Sequence, residues 1–209
     1  MRNIVPDAKR RNIHKMQGEN HMTLKKFSNK TLILTVGIPA SGKDTYIEKN
    51  NYANIPVVSR DVIRFQMLGG SKEDYFSKEK KVWKEYVHQI QCYLNNNSSV
   101  IADATHINEA SRNKLLNALN LNGTDINIIY FNVPMATCLE RNAKRTGLAR
   151  VPDEAIQRMA HQLTKPTFNE KYCYAWIYTI NENGEVIKGE RCHFLGKNKV
   201  IDTITFDEK

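Results

Sequence analysis

A turn between an apolar run and a helical pattern constrains the fold of this chain more than any other stretch. The run "TLILTV" (31–36) is rich in β-branched residues, is typical of a buried strand, and leads directly into "GIPASGKDT". Gly37 and Gly42 permit a tight loop whose backbone N–H groups turn toward an anion, and Lys43 adds a positive charge where a helix starts. The sequence therefore predicts a strand, a phosphate-binding loop and a helix that ends near Lys49. The alternative is a glycine-rich turn that binds nothing.

Asp44 departs from the usual form of such a loop, in which a Ser or Thr hydroxyl follows the lysine and faces Mg²⁺. A carboxylate at this position can bind Mg²⁺ directly, because hard cations take oxygen ligands, or it can repel phosphates where no metal lies between. Thr45 keeps a hydroxyl beside it. We expect the whole loop to contact a nucleotide through Gly37, Ile38, Pro39, Ala40, Ser41, Gly42, Lys43, Asp44 and Thr45.

Short apolar runs alternate with helical patterns after this loop. We predict strands at 55–59, 99–105 and 125–133, an amphipathic helix over 76–94 with its aromatic residues in the core, and a capped helix over 108–123. Strands that alternate with helices predict an α/β fold, in which a mostly parallel sheet is flanked by helices on both faces.

The pattern changes near the end of the chain. The stretch "CYAWIYTINENGEVIKGE" predicts a β-hairpin with Asn183 and Gly184 in its turn, and residues 200–206 could form another strand. We therefore expect a basic leader, a main α/β domain and a β-rich extension of that domain. Their predicted bounds are 1–30, 31–172 and 173–209.

The net charge of +9 is concentrated in the leader, where eight Lys and Arg residues face two acidic residues. Such a tail could add salt-sensitive attraction to a phosphate backbone, or it could simply be solvated. No apolar run approaches the ~20 residues that cross a bilayer, and no apolar segment follows the basic N-terminus as in an export signal. The four cysteines show no paired metal spacing. We expect a cytoplasmic protein with free thiols and no membrane partner.

Several polar residues follow or end predicted strands, which in a parallel sheet brings them to one edge, where ligands bind. Gly37, Asp61 and Asp103 share this position. Asp61 could accept the proton of an attacking hydroxyl, and Arg64 lies three residues later on the same helical face, where its planar fork could grip a phosphate or carboxylate. The alternative is an Asp61 that caps its helix beside an exposed arginine. Thr105 follows Asp103 near the expected path of the acceptor.

A basic helical stretch, "MATCLERNAKR", follows the fourth predicted strand. It places Arg141 and Arg145 one helical turn apart, and Arg150 follows in the next loop. These arginines could close over a triphosphate as a helical lid and stabilise charge in the transition state, or they could belong to a solvated basic helix. His106 and His161 have no partner at metal-ligand spacing, so we expect surface or packing roles for both.

Together these segments resemble the P-loop polynucleotide 5′-kinases. The resemblance covers about residues 31–170, in the family's order, and its most specific part combines "SRDVIR" with "RNAKR…VP". It implies a P-loop kinase fold, ATP as phosphate donor and Mg²⁺ as cofactor. The segments that carry it are "ILTVGIPASGKDTY", "VVSRDVIR", "VIADATHIN", "FNVPMATCLERNAKRTGLARVP" and "DEAIQRMAHQLTKPTFNE".

On the donor side, the resemblance implies that Lys43 binds the β- and γ-phosphates of ATP. It further implies that Arg145 stabilises the γ-phosphoryl group with help from Arg141. Asp44 stands where the family has Ser or Thr, so the metal could be held by Asp44, by Asp103 or by both.

On the acceptor side, the resemblance implies that Asp61 is the general base that activates a 5′-hydroxyl group. Arg64 would hold the neighbouring phosphate of the nucleic acid, and Asp103 and Thr105 would also face the acceptor. No phosphatase signature follows the kinase segment, so we expect no activity on 3′ ends.

Two other functions remain open at this stage. A small-molecule kinase acting on a nucleoside, antibiotic or sugar could use the same loop and lid, and Arg64 is the residue that would discriminate it. A nucleotide- or RNA-binding protein without kinase activity is a third interpretation, favoured only by Asp44. The sequence does not distinguish RNA from DNA, and it does not indicate an oligomeric state.

Overall fold

The computed structural model describes residues 30–51, 54–68 and 78–206. Most of the predicted leader, and the predicted start of the long helix at Phe76, lie outside the described residues. Among the residues that are described, no helix is both long enough and apolar enough to span a membrane.

A seven-stranded sheet in the order β2-β3-β1-β4-β5-β6-β7 forms the centre of the molecule. The pairs from β2 through β5 are parallel, whereas β5–β6 and β6–β7 are antiparallel. This topology confirms the predicted α/β class. The strands are β1 Thr31–Val36, β2 Val57–Ser59, β3 Val100–Asp103, β4 Asp125–Phe131, β5 Trp176–Ile180, β6 Val186–Leu195 and β7 Asn198–Thr205.

Within the described ranges, six α-helices and a short 3₁₀ turn accompany the strands. The helices are α1 Lys43–Asn50, α2 Arg60–Leu68, α3 Glu79–Asn95, α4 Glu109–Asn117, α5 Met135–Ala143 and α6 Asp153–Gln162, and the 3₁₀ turn is Gly147–Ala149.

The central strand β1 is buried on both faces and supplies two separate hydrophobic cores. Because side chains alternate along a strand, Leu32 and Leu34 enter the core formed with α3 and α4, whereas Ile33 enters the core formed with α1, α5 and α6. Helices therefore cover both faces of the sheet, as the sequence predicts.

The buried face of α3 differs slightly from the predicted one. Val82, Tyr86, Ile90 and Leu94 are its fully covered positions, whereas Trp83 is only half-buried at the edge of the core. The sequence spacing predicts Trp83, Val87, Ile90 and Leu94 on this face; Ile90 and Leu94 are buried as predicted, whereas Val82 and Tyr86 take the place of Trp83 and Val87 nearer the start of the helix.

The helix predicted over 108–123 ends earlier, at Asn117. Its start is as expected, because the side chain of Asn108 accepts a hydrogen bond from the Ser111 amide at 2.9 Å. After Asn117 the chain tightens into shorter-range hydrogen bonds, and Leu119 turns into the core. Gly123, with φ of 63°, lies in a separate turn before β4.

The C-terminal strands extend the sheet rather than pack on top of it. The predicted hairpin is present as β5 and β6, and Gly184 takes the left-handed conformation in its turn, with φ of 81°. Strand β5 also pairs in parallel with β4, so the hairpin belongs to the same sheet as β1, the strand before the glycine-rich loop. Strand β7 completes a second hairpin.

Candidate active site

A cleft of about 690 Å³ lies beyond the carboxyl ends of the parallel strands. The loop after β1, the start of α2, the end of β3 and the lid helices all border it. The structure thus brings most of the predicted site residues to one cavity. Those that line it are Pro39, Ala40, Gly42, Lys43, Asp44, Asp61, Arg64, Asp103, Thr105 and Arg145.

The loop between β1 and α1 has the backbone geometry of an anion cradle. A Cβ atom at Gly37 would lie 2.8 Å from Ser41 Oγ and 3.0 Å from Phe131 Cβ, so only glycine fits there. Gly42, with φ of 94°, makes the left-handed turn directly before α1. The Gly37 amide also donates a hydrogen bond to the Thr105 carbonyl at 3.0 Å, which ties the loop to the end of β3.

Lys43 is buried beneath this loop, with 9% of its surface exposed. Its Nζ donates hydrogen bonds to the carbonyls of Gly37 at 3.1 Å and Ile38 at 2.9 Å. Burial lowers the pKa of Lys43, while the charges of Asp103 and Asp44 act in the opposite direction. The ammonium group is therefore held at the floor of the cradle by polar groups on both sides.

Asp103 is a buried carboxylate that joins three strands. Its Oδ1 accepts a hydrogen bond from Thr35 Oγ1 at 2.9 Å, and its Oδ2 accepts one from Ser59 Oγ at 3.0 Å. Burial raises the pKa of Asp103; Lys43 lowers it, and Asp44 adds to the increase. A carboxylate in this environment is stabilised by any further cation.

The pair of Asp44 and Asp103 fits a Mg²⁺ site. Among the described residues, no group of three or more His, Cys, Asp or Glu side chains is arranged to hold a metal. Mg²⁺ in phosphate-transfer sites commonly uses one or two carboxylates, with phosphate and water oxygens completing the coordination. Both carboxylates line the cleft and influence each other electrostatically, which suits that donor set.

Asp61 and Arg64 lie together in the first turns of α2. The two side chains form an ion pair across one helical turn, and both line the cleft. The Asp61 side chain is 71% exposed, whereas only 8% of Arg64 is exposed. The alternative prediction of a capping Asp61 beside an exposed arginine is therefore wrong, because α3 covers the guanidinium and Asp61 lies inside the helix.

Glu79, the first residue of α3, is a site residue that the sequence did not reveal. Its Oε1 accepts a hydrogen bond from Arg64 Nε at 2.5 Å, and its Oε2 accepts one from an Arg60 guanidinium nitrogen at 2.7 Å. Burial opposes ionisation of Glu79, but its bonds to Arg64 and Arg60 prevail and hold its pKa below the usual range. One carboxylate thus fixes two arginines, and only the packing of α2 on α3 brings them together.

The lid consists of α5, the 3₁₀ turn and α6, braced by the buried side chain of Asn142. Asn142 Nδ2 donates hydrogen bonds to the Val151 carbonyl at 2.7 Å and to Asp153 Oδ1 at 2.9 Å. Its Oδ1 accepts a hydrogen bond from the Val151 amide at 3.0 Å. This bracing was not predicted, because Asn142 has no special spacing in the sequence.

The three arginines of the lid region do not converge as predicted. Arg145 lines the main cleft, and with Arg141 it also lines a neighbouring cavity of about 420 Å³. Arg141 donates a hydrogen bond to the Glu182 carbonyl at 2.6 Å, and a longer one to the Ser41 carbonyl at 3.5 Å. Arg150 instead lines a separate depression near Glu154, because its backbone is extended and successive side chains there face opposite sides, so that its neighbour Val151 lines the cleft.

The neighbouring cavity is adjacent to the cleft, and Ala40, Gly42 and Arg145 line both. Tyr46 and Phe131 form an aromatic wall, with their ring centroids 5.5 Å apart in an edge-to-face arrangement. The Tyr46 hydroxyl is buried and has no hydrogen-bond partner among the residues that the structure describes.

The remaining wall of this cavity comes from the turn at 182–184, between β5 and β6. The sequence predicted this turn but gave no sign that it borders a ligand site. Ser41 and Thr45, predicted to bind nucleotide, also line this cavity rather than the main cleft.

His106 has a packing role, and the predicted surface alternative for it is wrong. Its Nδ1–H donates to the Thr35 carbonyl at 2.8 Å, and its Nε2 accepts from the Tyr86 hydroxyl at 3.3 Å. Burial lowers the pKa of His106 to about 4, so the ring is neutral and shapes the loop after β3. His161 is exposed at the end of α6, as expected.

A buried ion pair between Arg112 and Glu170 holds the same loop from its other side. The Arg112 guanidinium donates to Glu170 at 2.5 and 2.9 Å and to the His106 carbonyl at 3.0 Å. This long-range pair was not predicted either. It secures the loop after β3 against the segment that follows α6.

Comparison with known proteins places this geometry in a family. A family model described as an AAA domain matches residues 32–166, which is more than half of the chain. The comparison with curated proteins found no match.

Among solved structures, a chain of the Pnkp1/Rnl/Hen1 RNA repair complex aligns with a TM-score of 0.56 and 27% identity. The alignment covers 67% of this chain and 46% of that one, so this chain corresponds to less than half of that relative. An unliganded sugar kinase from Janibacter sp. aligns with a TM-score of 0.51 and 14% identity, covering 74% of this chain and 86% of that one. At that identity it shows a shared fold only.

The predicted resemblance to P-loop kinases is confirmed, and so is the P-loop kinase fold. The chain belongs to the AAA-domain family of P-loop proteins.

Proposed function

We propose that this protein transfers the γ-phosphoryl group of ATP to the 5′-hydroxyl end of a nucleic acid, in the repair of broken strands. The observation that carries the proposal is the buried Arg64, which Asp61 and Glu79 hold at the mouth of the cleft that also contains Lys43. An acceptor with a phosphate beside its hydroxyl matches this arrangement, because a planar guanidinium binds phosphate oxygens in pairs.

The two adjacent cavities suit the donor nucleotide. The nucleoside would occupy the smaller cavity, against Tyr46 and the turn at 182–184, and the phosphates would cross the loop toward Lys43. Arg145 borders both cavities, so it can reach the terminal phosphates and stabilise charge that develops during transfer. Bound Mg²⁺, held by Asp44 and Asp103, would neutralise phosphate charge.

On the acceptor side, Asp61 is exposed to the cleft and can accept the proton of the 5′-hydroxyl group. The hydroxyl oxygen forms a bond to the γ-phosphorus while the bond from that phosphorus to the bridging β–γ oxygen breaks, and ADP leaves. When the acceptor binds, Arg64 would exchange its bond to Asp61 for a bond to the acceptor phosphate. The Asp61 carboxylate would then be free to act as the base.

A sugar kinase shares the fold, so a small-molecule acceptor is the alternative. A neutral sugar or nucleoside, however, offers no anion that could replace the Asp61 carboxylate on Arg64. The relative from an RNA repair complex, which is the more similar of the two in sequence, also favours the nucleic acid. The free thiols of the four cysteines suit the cytoplasm as the site of this activity.

Labelled ATP and matched acceptors test the proposal. We expect transfer of the γ-phosphate to 5′-hydroxyl oligonucleotides, and none to the same oligonucleotides with 5′-phosphoryl ends, which lack the nucleophile. Transfer to a sugar, nucleoside or antibiotic without transfer to the oligonucleotide would overturn the proposal. Absence of transfer to every acceptor, with ATP bound normally, would favour a non-catalytic binding protein.

A further inference from the structure

Three helices place two cations on one indole ring beside the mouth of the cleft. Arg60 of α2 lines the cleft, and its guanidinium carbon lies 5.7 Å from the centroid of the Trp83 ring of α3. On the same ring, Lys114 Nζ of α4 lies 4.6 Å from the centroid. These three residues, which we name the outer strip, continue the acceptor side of the cleft onto the protein surface.

Along the outer strip, carboxylates neutralise the cation near the cleft more than the cation farther from it. Arg60 shares the carboxylate of Glu79 with Arg64. Lys114 is exposed and forms no ion pair within residues 30–51, 54–68 and 78–206. An anion that reaches Lys114 therefore displaces no carboxylate of these described residues.

A third cation beside an aromatic ring, Lys171, contacts Asn117, which lies one helical turn beyond Lys114 on α4. Asn117 Oδ1 accepts hydrogen bonds from Lys171 Nζ at 2.6 Å and from the Tyr172 hydroxyl at 2.7 Å. Lys171 Nζ also lies 5.3 Å from the centroid of the Tyr172 ring. Because Lys114 and Asn117 are neighbours on the helix surface, this pair lengthens the same basic surface.

We propose that the outer strip binds the acceptor strand beyond its first nucleotide, so that the acceptor is a polynucleotide rather than a nucleoside 3′-phosphate. This inference rests on the proposed function. Grooves for single-stranded nucleic acid combine backbone-tracking cations with aromatic rings on which bases stack, and such binding is largely blind to sequence. The first phosphate would bind Arg64, and the following backbone would pass Arg60 and Trp83 toward Lys114.

Binding of a 5′-hydroxyl single strand of about twelve nucleotides tests the outer strip without requiring turnover. Lys114→Gln should weaken binding about three- to tenfold, and it should reduce the slope of log Kd against log salt by about 0.7, the value for one phosphate contact on a single strand. Lys197→Gln, at an exposed turn on the opposite edge of the sheet, removes the same charge and should change neither quantity. Equal effects of the two variants would overturn the proposal.

Tryptophan fluorescence gives an independent reading. The chain has two tryptophans, so Trp176→Phe leaves Trp83 as the only indole. We expect the strand to quench its emission in that variant, and a nucleoside 3′-phosphate, which is too short to reach the ring, to leave it unchanged. Emission that the strand does not alter would contradict the assignment of Trp83.

Steady-state kinetics separate failure of this inference from failure of the proposed function. In the parent protein, kcat/KM should be higher for the oligonucleotide than for a nucleoside 3′-phosphate, and Lys114→Gln should lower that ratio. An unchanged ratio would refute the strip while the kinase assignment stands. Phosphorylation of neither acceptor would refute the kinase assignment, and the binding and fluorescence measurements would still decide on the strip.

Discussion

The acceptor side and the lid side of the cleft hold their arginines in different ways. Arg64 is buried and paired with two carboxylates, Asp61 and Glu79. Arg145 and Arg141 instead make their described hydrogen bonds to backbone carbonyls. A buried paired charge is fixed in position, whereas a cation bonded to carbonyls keeps its net charge available. Under the proposed function, the acceptor side would therefore select its ligand by geometry, and the lid side would stabilise phosphate charge.

The largest effect is expected from Asp61→Asn, which removes the proposed base while retaining its shape. Turnover should fall by about 10² to 10⁴-fold, the usual contribution of a positioned proton acceptor. ATP affinity, measured by calorimetry, should remain within about twofold. Gln66→Ala, an exposed change on the same helix, is the control. Activity close to that of the parent would show that Asp61 is not the base.

A pair of lid variants tests whether position or mere positive charge matters. Arg145→Gln should reduce kcat by about 10² to 10³-fold, because the side chain borders both cavities and can meet charge in the transition state. Arg150→Gln removes the same charge outside the cleft and should change kcat less than about twofold. Equal losses, measured by label transfer, would show that the lid acts only through its net charge.

Glu79→Gln tests whether the acceptor side depends on a fixed arginine. Losing the charge that holds Arg64 and Arg60 should raise KM for the oligonucleotide by about tenfold, with little change in kcat or in KM for ATP. Glu85→Gln, on the same helix, serves as the control, because within the described part of the chain this carboxylate bonds to Gln89 and to no arginine. A fall in KM would mean that Glu79 masks Arg64 instead of positioning it.

The smallest effect is expected from Asp44→Ser, which restores the hydroxyl usual in this kind of loop. If Asp44 binds the metal, the Mg²⁺ concentration that half-saturates ATP binding should shift a few-fold, because the carboxylate's charge is lost. ATP affinity measured in chelator, without Mg²⁺, should rise, since a negative charge near the phosphates is removed. A metal dependence equal to that of the parent would exclude the liganding role.

The two sides also differ in how far the sequence predicts them. The loop at 37–45, the Asp61–Arg64 pair and Asp103 are predictable because local spacing and the ends of parallel strands determine where they lie. Glu79 and the turn at 182–184 reach the site only through tertiary packing, across segments without a distinctive pattern. Local sequence spacing therefore predicts the proposed catalytic and binding residues. It does not predict the residues that hold them in position.

Errors at the boundaries have the same origin. The helix that ends at Asn117 reflects side chains drawn into a core that periodicity alone does not show. The burial of Val82 and Tyr86 in place of Trp83 and Val87 in α3 has the same cause. Arg150 was expected at the cleft because it follows Arg145 closely. Arg150 is extended after the 3₁₀ turn, and its side chain lines a separate depression while Val151 lines the cleft.

The central claim is that Arg64 recognises a phosphate next to the hydroxyl that Asp61 activates. Two dinucleotides with free 5′-hydroxyl groups test it directly, one with a phosphodiester linkage and one with an uncharged methylphosphonate linkage. The account predicts a higher kcat/KM for the phosphodiester in the parent, and a preference that disappears in Arg64→Gln. Equal use of both acceptors by the parent, or a preference that survives in the variant, would contradict it.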